Sequence, residues 1–414
     1  SKQSNKLKVV EYAKTHEGRP LHAVFISSPE NLNNLDNIKN KISELSDARN
    51  TSDREATQII KALPAVAWMA YSIHGNETSG GDAALGLIYH LIANQDKHIL
   101  NMLDEMIIII DPLMNPDGRA RFAKNLEQYR GTAPNYDDQS LLHTGDWPYG
   151  RTNHYYFDLN RDWAWQTQIE SQSRIKLYNQ WLPHIHVDFH EQGVNSPYFF
   201  APAAEPFHEY ITDWQRELQT MIGKNHSKYF DENSWLYFTK EVFDLLYPSY
   251  GDTYPTYNGA IGMTYEQAGH SRGGLAVETE DGDTLTLNDR LTHHFTTGLS
   301  TIEVASNNVD KILLEFSKFF KESKKNPPGK YSAYIISKNN NKDKIKDLQN
   351  WLDNNGIEHG LASTSKSIKG FSYLKGETEQ LKVAKGDMII SARQAKSVLV
   401  QILFEPQTTL RDSL

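Results

Sequence analysis

Short runs of continuous or alternating apolar residues recur along the chain between longer stretches whose apolar positions repeat at helical spacing. Residues 21–27 and 65–72 predict strands, with a polar-faced helix over 35–49 between them. Residues 78–93 predict a helix with Gly80 and Gly81 near its start, and the β-branched run 106–111 predicts a buried strand. A helix over 170–181, strands over 184–190 and 260–266, and a helix over 287–320 complete the pattern. This is the order of an α/β fold: a doubly wound, mostly parallel but mixed central sheet with helices on both faces, whose sites lie at the carboxyl ends of strands.

Two stretches break the periodicity. Residues 115–160, rich in Gly, Pro, Asp, Asn and Tyr, predict a long functional loop, and 247–259 predict a second one able to cover a cleft. Residues 321–330 read as a linker, followed by strand, helix and strand over 331–337, 344–352 and 387–391. The expected organisation is therefore a catalytic domain over 1–325 and a small α/β accessory domain over 326–414. The second is too small to bury both faces of a sheet well and is expected to be truncated.

Composition narrows the chemistry. Lys and Arg number 43 against 52 Asp and Glu, a formal charge of −9, which argues against a general nucleic-acid or anionic-membrane binder. No apolar run approaches the roughly 20 residues of a bilayer-spanning helix. With no cysteine, disulfides, thiolate ligands and a cysteine nucleophile are all unavailable, so a metal must be held by His, Asp or Glu. No signal peptide is visible, and the chain opens at Ser1 rather than Met, as a processed or a trimmed chain does, which leaves export open.

His74-Gly75-Asn76-Glu77 stands where a buried strand meets a helix, so both side chains can be aimed at one point. His₂Glu with a position left for water is an established catalytic zinc arrangement. His190, at the end of its own strand, supplies the third donor if the two strands are neighbours. His184 and His186 share its face, but alternate strand residues are about 6–7 Å apart, so one ligand at most comes from this strand. The terminal histidine is the choice, and the other two are structural. Asp158 is suited to the second ring nitrogen of His74, and Asp188 is a further such candidate.

Five motifs stand in order: HGNE at 74–77, NPDG at 115–118, DLNRDW at 158–163, DFH at 188–190 and TYE at 264–266. Together they resemble the zinc carboxypeptidase A/B family, and the GRTNHY run at 150–155 is similar to its bacterial secreted branch. The resemblance implies one Zn²⁺ held by His74, Glu77 and His190, and Glu266 as the general base that activates water. It implies Asn160 and Arg161 as the grip on a substrate's free terminal carboxylate, and Arg130 or Arg151 as the stabiliser of the developing oxyanion. A tyrosine of the 247–257 cluster, Tyr257 being the candidate carried forward, would close over a peptide substrate. It also implies a secreted or periplasmic location and a small domain after the catalytic one.

The DFHEQG continuation, HGNE in place of HxRE, and GMTYEQ depart from the pancreatic pattern. HGNE also occurs in related deacylases, which keeps a zinc amidase acting on N-acyl amino acids or cell-wall peptides as an alternative. A catalytically inactive module binding peptides or glycans is the third. Asp252, in the second loop, hints at a pocket for basic side chains.

Overall fold

The computed structural model describes residues 4–325 and 327–411. In chain order the first ten strands are β1 (Leu7–Lys14), β2 (Pro20–Ile26), β3 (Ala65–Tyr71), β4 (Met106–Asp111), β5 (Ile185–Gln192), β6 (Tyr198–Phe199), β7 (Ala204–Phe207), β8 (Tyr237–Phe238), β9 (Asp244–Leu245) and β10 (Ile261–Ala268). Eight of them form one sheet in the order β1-β2-β4-β3-β5-β10-β6-β8, while β7 and β9 pair with each other.

The four central strands β4, β3, β5 and β10 run parallel, and the flanks are antiparallel through β2 and β6. All seven residues of β3 and all six of β4 are buried, which is why these runs show no polar face. Helices cover both sides. Trp68 on one face of β3 packs on Tyr178 of helix Ile169–Trp181, while Tyr71, on the other face, meets Gly80 and Gly298 of helices Thr78–Ala93 and Leu287–Ser306. The mixed α/β sheet expected from the sequence is the observed one.

Several boundaries differ. Residues 115–160 are not loop throughout, because Asn115 caps a helix, Pro116–Tyr129, by accepting the Gly118 N–H at 2.9 Å, with Pro116 in its first turn. A short helix, Leu141–Thr144, follows. The expected helix over 287–320 is two, Leu287–Ser306 and Val309–Lys325, broken at Asn307 and Asn308, and the second runs into the expected linker. Helices Asp53–Ile60, Lys97–Glu105 and Asp213–Glu232 were not anticipated.

After residue 330 a three-stranded antiparallel sheet forms from Ala333–Ile336, Met388–Ser391 and Gly360–Leu361, with helices Lys342–Asn354 and Ser397–Phe404. A separate hairpin pairs Lys366–Ser372 with Glu377–Val383. Leu352, Ile390 and Leu399 of this segment belong to the same continuous apolar core as the large sheet. Polar contacts cross as well: Trp351 Nε1 donates to the Ala164 carbonyl at 2.7 Å, and Tyr254 donates to Asn355 at 2.9 Å.

Candidate metal centre and catalytic cleft

The chain leaves β3 through Ser72, whose φ of 55° is costly for a residue with a side chain. Tyr71 and Ser72 carbonyls accept the N–H groups of Met114 and Asn115, which stitches this turn to the one following β4. His74 and Glu77 then face each other across a tight turn, with Nδ1 to Oε1 at 2.8 Å, and the helix Thr78–Ala93 starts at once. Gly75 is forced by contact: a Cβ there would lie 2.1 Å from the Arg119 nitrogen and 2.6 Å from the Gly150 carbonyl oxygen.

His190, near the end of β5, completes the group. Its Nδ1 is 3.2 Å from His74 Nδ1 and 3.1 Å from Glu77 Oε2. All three side chains are buried, and their donor atoms lie within 4.8 Å of one another. The far nitrogens are occupied: His74 Nε2 is 3.1 Å from Asp158 Oδ1 and His190 Nε2 is 2.7 Å from Asp188 Oδ2. His190 Nε2 also lies 3.1 Å from the Asn160 amide nitrogen. An Nε2–H on His74 facing Asp158 leaves its Nδ1 lone pair for a point beside Glu77, which Nδ1 of His190 also faces. Tetrahedral zinc with bonds of about 2.0–2.1 Å has ligand-to-ligand edges of roughly 3.3 Å, so these residues fit such an ion.

Charge works in the same direction. Burial pushes the Glu77 carboxyl up, but the His74 charge and hydrogen bonds from His190, His270 and His74 outweigh it and hold the group well below its ordinary range. Burial likewise opposes ionisation of Asp158, and His74, Arg151 and Arg161 reverse that effect. Burial lowers the His190 pKa, while Asp188 and Glu77 raise it well above normal. Three carboxylates around two imidazoles favour a cation.

The surrounding cleft, about 360 Å³, is lined among others by Arg151, Asn160, Arg161, Tyr250, Asp252 and Glu266. Glu266 reaches it because β10 lies in parallel register with β5, pairing Glu266 with His190. Burial, with Glu77 and Asp188 adding to it and His190 and Arg151 opposing, pushes the Glu266 carboxyl up to about 8. Arg151 donates Nε to Asp158 at 3.0 Å and brings its NH1 to 3.5 Å from Glu77. Arg161, with a half-exposed side chain, lies over the Tyr250 ring at 4.5 Å and leaves most of its fork open to the cleft. Asn160 accepts the Gly251 N–H at 2.7 Å, so its oxygen is committed to holding the second loop. Thr264 donates to Asp252 at 2.8 Å, and burial pushes this carboxyl up to about 6.

Two expected residues are elsewhere. Arg130 is exposed at the end of helix Pro116–Tyr129 and faces a different cleft with Arg119 and Pro134. The 14-residue helix carries it roughly 20 Å from Asn115, and Arg151 alone of the two candidates is at the site. Tyr257 is turned inward by the helix Thr253–Tyr257 and donates to the Leu246 carbonyl at 2.9 Å, whereas Tyr250 lines the cleft. His184 accepts the Val66 N–H at 2.9 Å and His186 packs edge-on to Trp163, so both are structural, and burial pushes each down to about 3. Sequence reasoning missed His270, whose Nδ1 is 3.1 Å from Glu77 Oε1.

Residues 1–222 match the model of a family described as zinc carboxypeptidase. Over 124 residues the chain is 30% identical to a probable carboxypeptidase 2 of Arthroderma benhamiae and to carboxypeptidase 2 of Trichophyton rubrum. That stretch is 30% of this chain and only 18% of the length of either fungal protein. A metallo-carboxypeptidase from Burkholderia cenocepacia shares the fold, with a TM-score of 0.50 at 17% identity over 75% of this chain and 66% of that one. Among the described residues no helix is long and apolar enough to cross a membrane.

Proposed function

The chain belongs to the zinc carboxypeptidase family, and on that premise we propose that it hydrolyses the last peptide bond of peptides with a free C-terminal carboxylate. One observation carries this reading: the three-donor group, the buried Glu266 and the open fork of Arg161 line the same cleft. His74, Glu77 and His190 would hold one zinc ion, which when bound lowers the pKa of water and polarises a carbonyl.

The protein's own groups do the rest. Arg161, braced on Tyr250, pairs with the terminal carboxylate in a geometry suited to its planar fork, and the Asn160 amide sits beside it. Arg151 stabilises negative charge developing on the scissile carbonyl oxygen. Glu266 takes a proton from the attacking water and delivers it to the departing amine nitrogen as the C–N bond breaks. Asp158 keeps the His74 imidazole in the required tautomer, and Asp188 places a negative charge beside the His190 ring. Asp252 supports a preference for basic C-terminal residues.

The test is release of C-terminal amino acids from a mixed peptide set by zinc-loaded protein, beside Glu266→Gln and beside the same peptides amidated. Release that stops in both comparisons supports the proposal and displays the preferred residue. Equal cutting of amidated peptides removes the carboxylate grip, and faster cutting of N-acyl amino acids favours the amidase.

The proposal extends to two units, 1–325 and an accessory unit over 326–414. It also extends to a bacterial secreted or periplasmic enzyme of the A/B type, supported by the GRTNHY run alone. Fractionation of cells that express the protein from its natural gene tests the location.

A further inference from the structure

A cavity of about 860 Å³ opens between the turn that follows β7 and the segment after residue 330. Glu209 and Tyr210 line it from one side, Tyr331, Phe371 and Glu405 from the other, and the catalytic cleft shares none of its residues. Its walls are fixed by contacts of their own. The Glu209 N–H donates to the Thr409 carbonyl at 3.2 Å and the Arg411 N–H to that of Phe207 at 2.9 Å, so the chain beyond Glu405 is pinned to the turn. Buried Gln401 donates to the Tyr331 carbonyl at 2.9 Å. The Tyr331 and Phe371 rings lie 6.2 Å apart, those of Phe371 and Tyr373 5.7 Å, and the Tyr373 hydroxyl donates to the Phe404 carbonyl. These contacts tie the hairpin of Lys366–Ser372 and Glu377–Val383 down beside the cavity.

One carboxylate sets the chemistry. The Glu405 side chain is only 9% exposed, and its Oε1 is 2.8 Å from His208 Nε2. That histidine does not neutralise it. The Tyr210 backbone N–H donates to His208 Nδ1 at 3.2 Å, so the single ring proton is on Nε2 and the imidazole is uncharged. Among the described residues, Glu405 Oε2 has no hydrogen-bond donor and no lysine or arginine pairs with Glu405 or Glu209, while Lys330 stands exposed at the rim. Burial, then Glu209 and Glu405, push the Tyr210 hydroxyl pKa up, so both carboxylates act on the same space.

A carboxylate withdrawn from water beside an uncharged partner is costly until a cation joins it. Ring faces attract a cation too, and most of all one with apolar substituents, as in a quaternary ammonium. We infer that this cavity binds an organic ammonium ion, its nitrogen held between Glu405 and the Tyr331 and Phe371 rings. A bare metal ion would make no use of the rings, and a neutral sugar would not answer the charge. The inference stands apart from the carboxypeptidase reading, because no residue of the cleft enters it.

The test titrates the full chain with choline by ligand-observed NMR, beside an uncharged isostere in which a quaternary carbon replaces the nitrogen. Choline is expected to saturate a site and to bind about tenfold more tightly than the isostere. Glu405→Gln keeps an acceptor for His208 while removing the charge, and is expected to lose that factor; Tyr331→Leu/Phe371→Leu should lose about as much. Lys330→Glu, at an exposed position that does not threaten folding, adds a carboxylate at the rim and should tighten choline about threefold. Glu266→Gln, in the cleft, should bind choline as the parent protein does. Absence of saturable binding, equal binding of choline and its isostere, or choline binding indifferent to Lys330→Glu and to the other cavity variants overturns the inference. Saturation by a chitooligosaccharide that depends on the rings, with no binding of choline, overturns it in favour of a glycan site.

Discussion

His270 stands four residues beyond Glu266, at a point where the chain has left β10. Its Nδ1 faces Glu77 Oε1 at 3.1 Å, while the backbone N–H of Glu191 holds Oε2 at 2.9 Å. A carboxylate with both oxygens held has a fixed orientation, so on the proposed reading His270 would position a metal ligand without being one. His270→Ala is expected to weaken zinc affinity by about 10- to 100-fold in chelator competition, and His270→Gln, which keeps a donor, to recover most of it. The d–d spectrum of the cobalt-substituted protein should move with the alanine variant; an unmoved spectrum and an unchanged affinity would remove His270 from the site. Glu266→Gln, by contrast, should leave metal affinity near its original value and lower kcat by about 10²- to 10⁴-fold in the release assay.

The same residues show where sequence legibility stops. HGNE, DFH and TYE could be read because each sits at or near a strand end, and strand order then brings His74, His190 and Glu266 together. His270 has no such marker: it lies in a QAGHSRGG stretch, and its proximity to Glu77 depends on the exact register of β10 on β5. Arg130 is another case: it follows NPDG closely in sequence, but the helix Pro116–Tyr129 carries it to a different cleft.

At the scale of elements, the helix Pro116–Tyr129 escaped notice because Asn, Pro, Asp and Gly are loop formers and also the residues that start helices. Its glycine has a job no spacing reveals. A Cβ on Gly118 would lie 2.3 Å from the Gly150 carbonyl oxygen, so Gly75, Gly118 and Gly150 form one close contact of three backbones that fixes residues 145–158 to the His74–Glu77 turn. Gly118→Ala is therefore expected to destabilise by about 1–3 kcal/mol or more and to lower activity through displacement of Arg151. Gly86 is the opposite case. It lies inside helix Thr78–Ala93, and its added Cβ would meet only Phe295 at 3.9 Å. Gly86→Ala should stabilise by about 0.5–1 kcal/mol, because the unfolded chain loses freedom and nothing in the fold is displaced. Urea denaturation of the two variants reads both signs; a destabilised Gly86→Ala or a neutral Gly118→Ala would contradict the packing described.

For the whole molecule, the polar run 321–330, with its Asn, Pro and Gly, reads as a linker that sets off the last 89 residues. What pattern cannot show is that Leu352, Ile390 and Leu399 enter the same core as the large sheet. Lys396 makes this association sensitive to pH. Its ammonium is buried against helix Ile169–Trp181 and the second loop, donating to Asn179 at 2.9 Å and Asn258 at 2.6 Å, and burial pushes its pKa down to about 7. In the unfolded chain the group titrates near 10.4. Between these values the unfolded state binds more protons than the folded one, so stability rises with pH from about 7 toward 10 and the lysine's contribution falls as pH drops through that window. The slope approaches about 1.4 kcal/mol per pH unit at its steepest. Lys396→Met removes the titration, so the difference in unfolding free energy between the parent protein and this variant should grow in the parent's favour as pH is raised from 7 to 10. Parallel profiles would mean that water reaches the ammonium and that the two parts of the chain meet less tightly than their shared core implies.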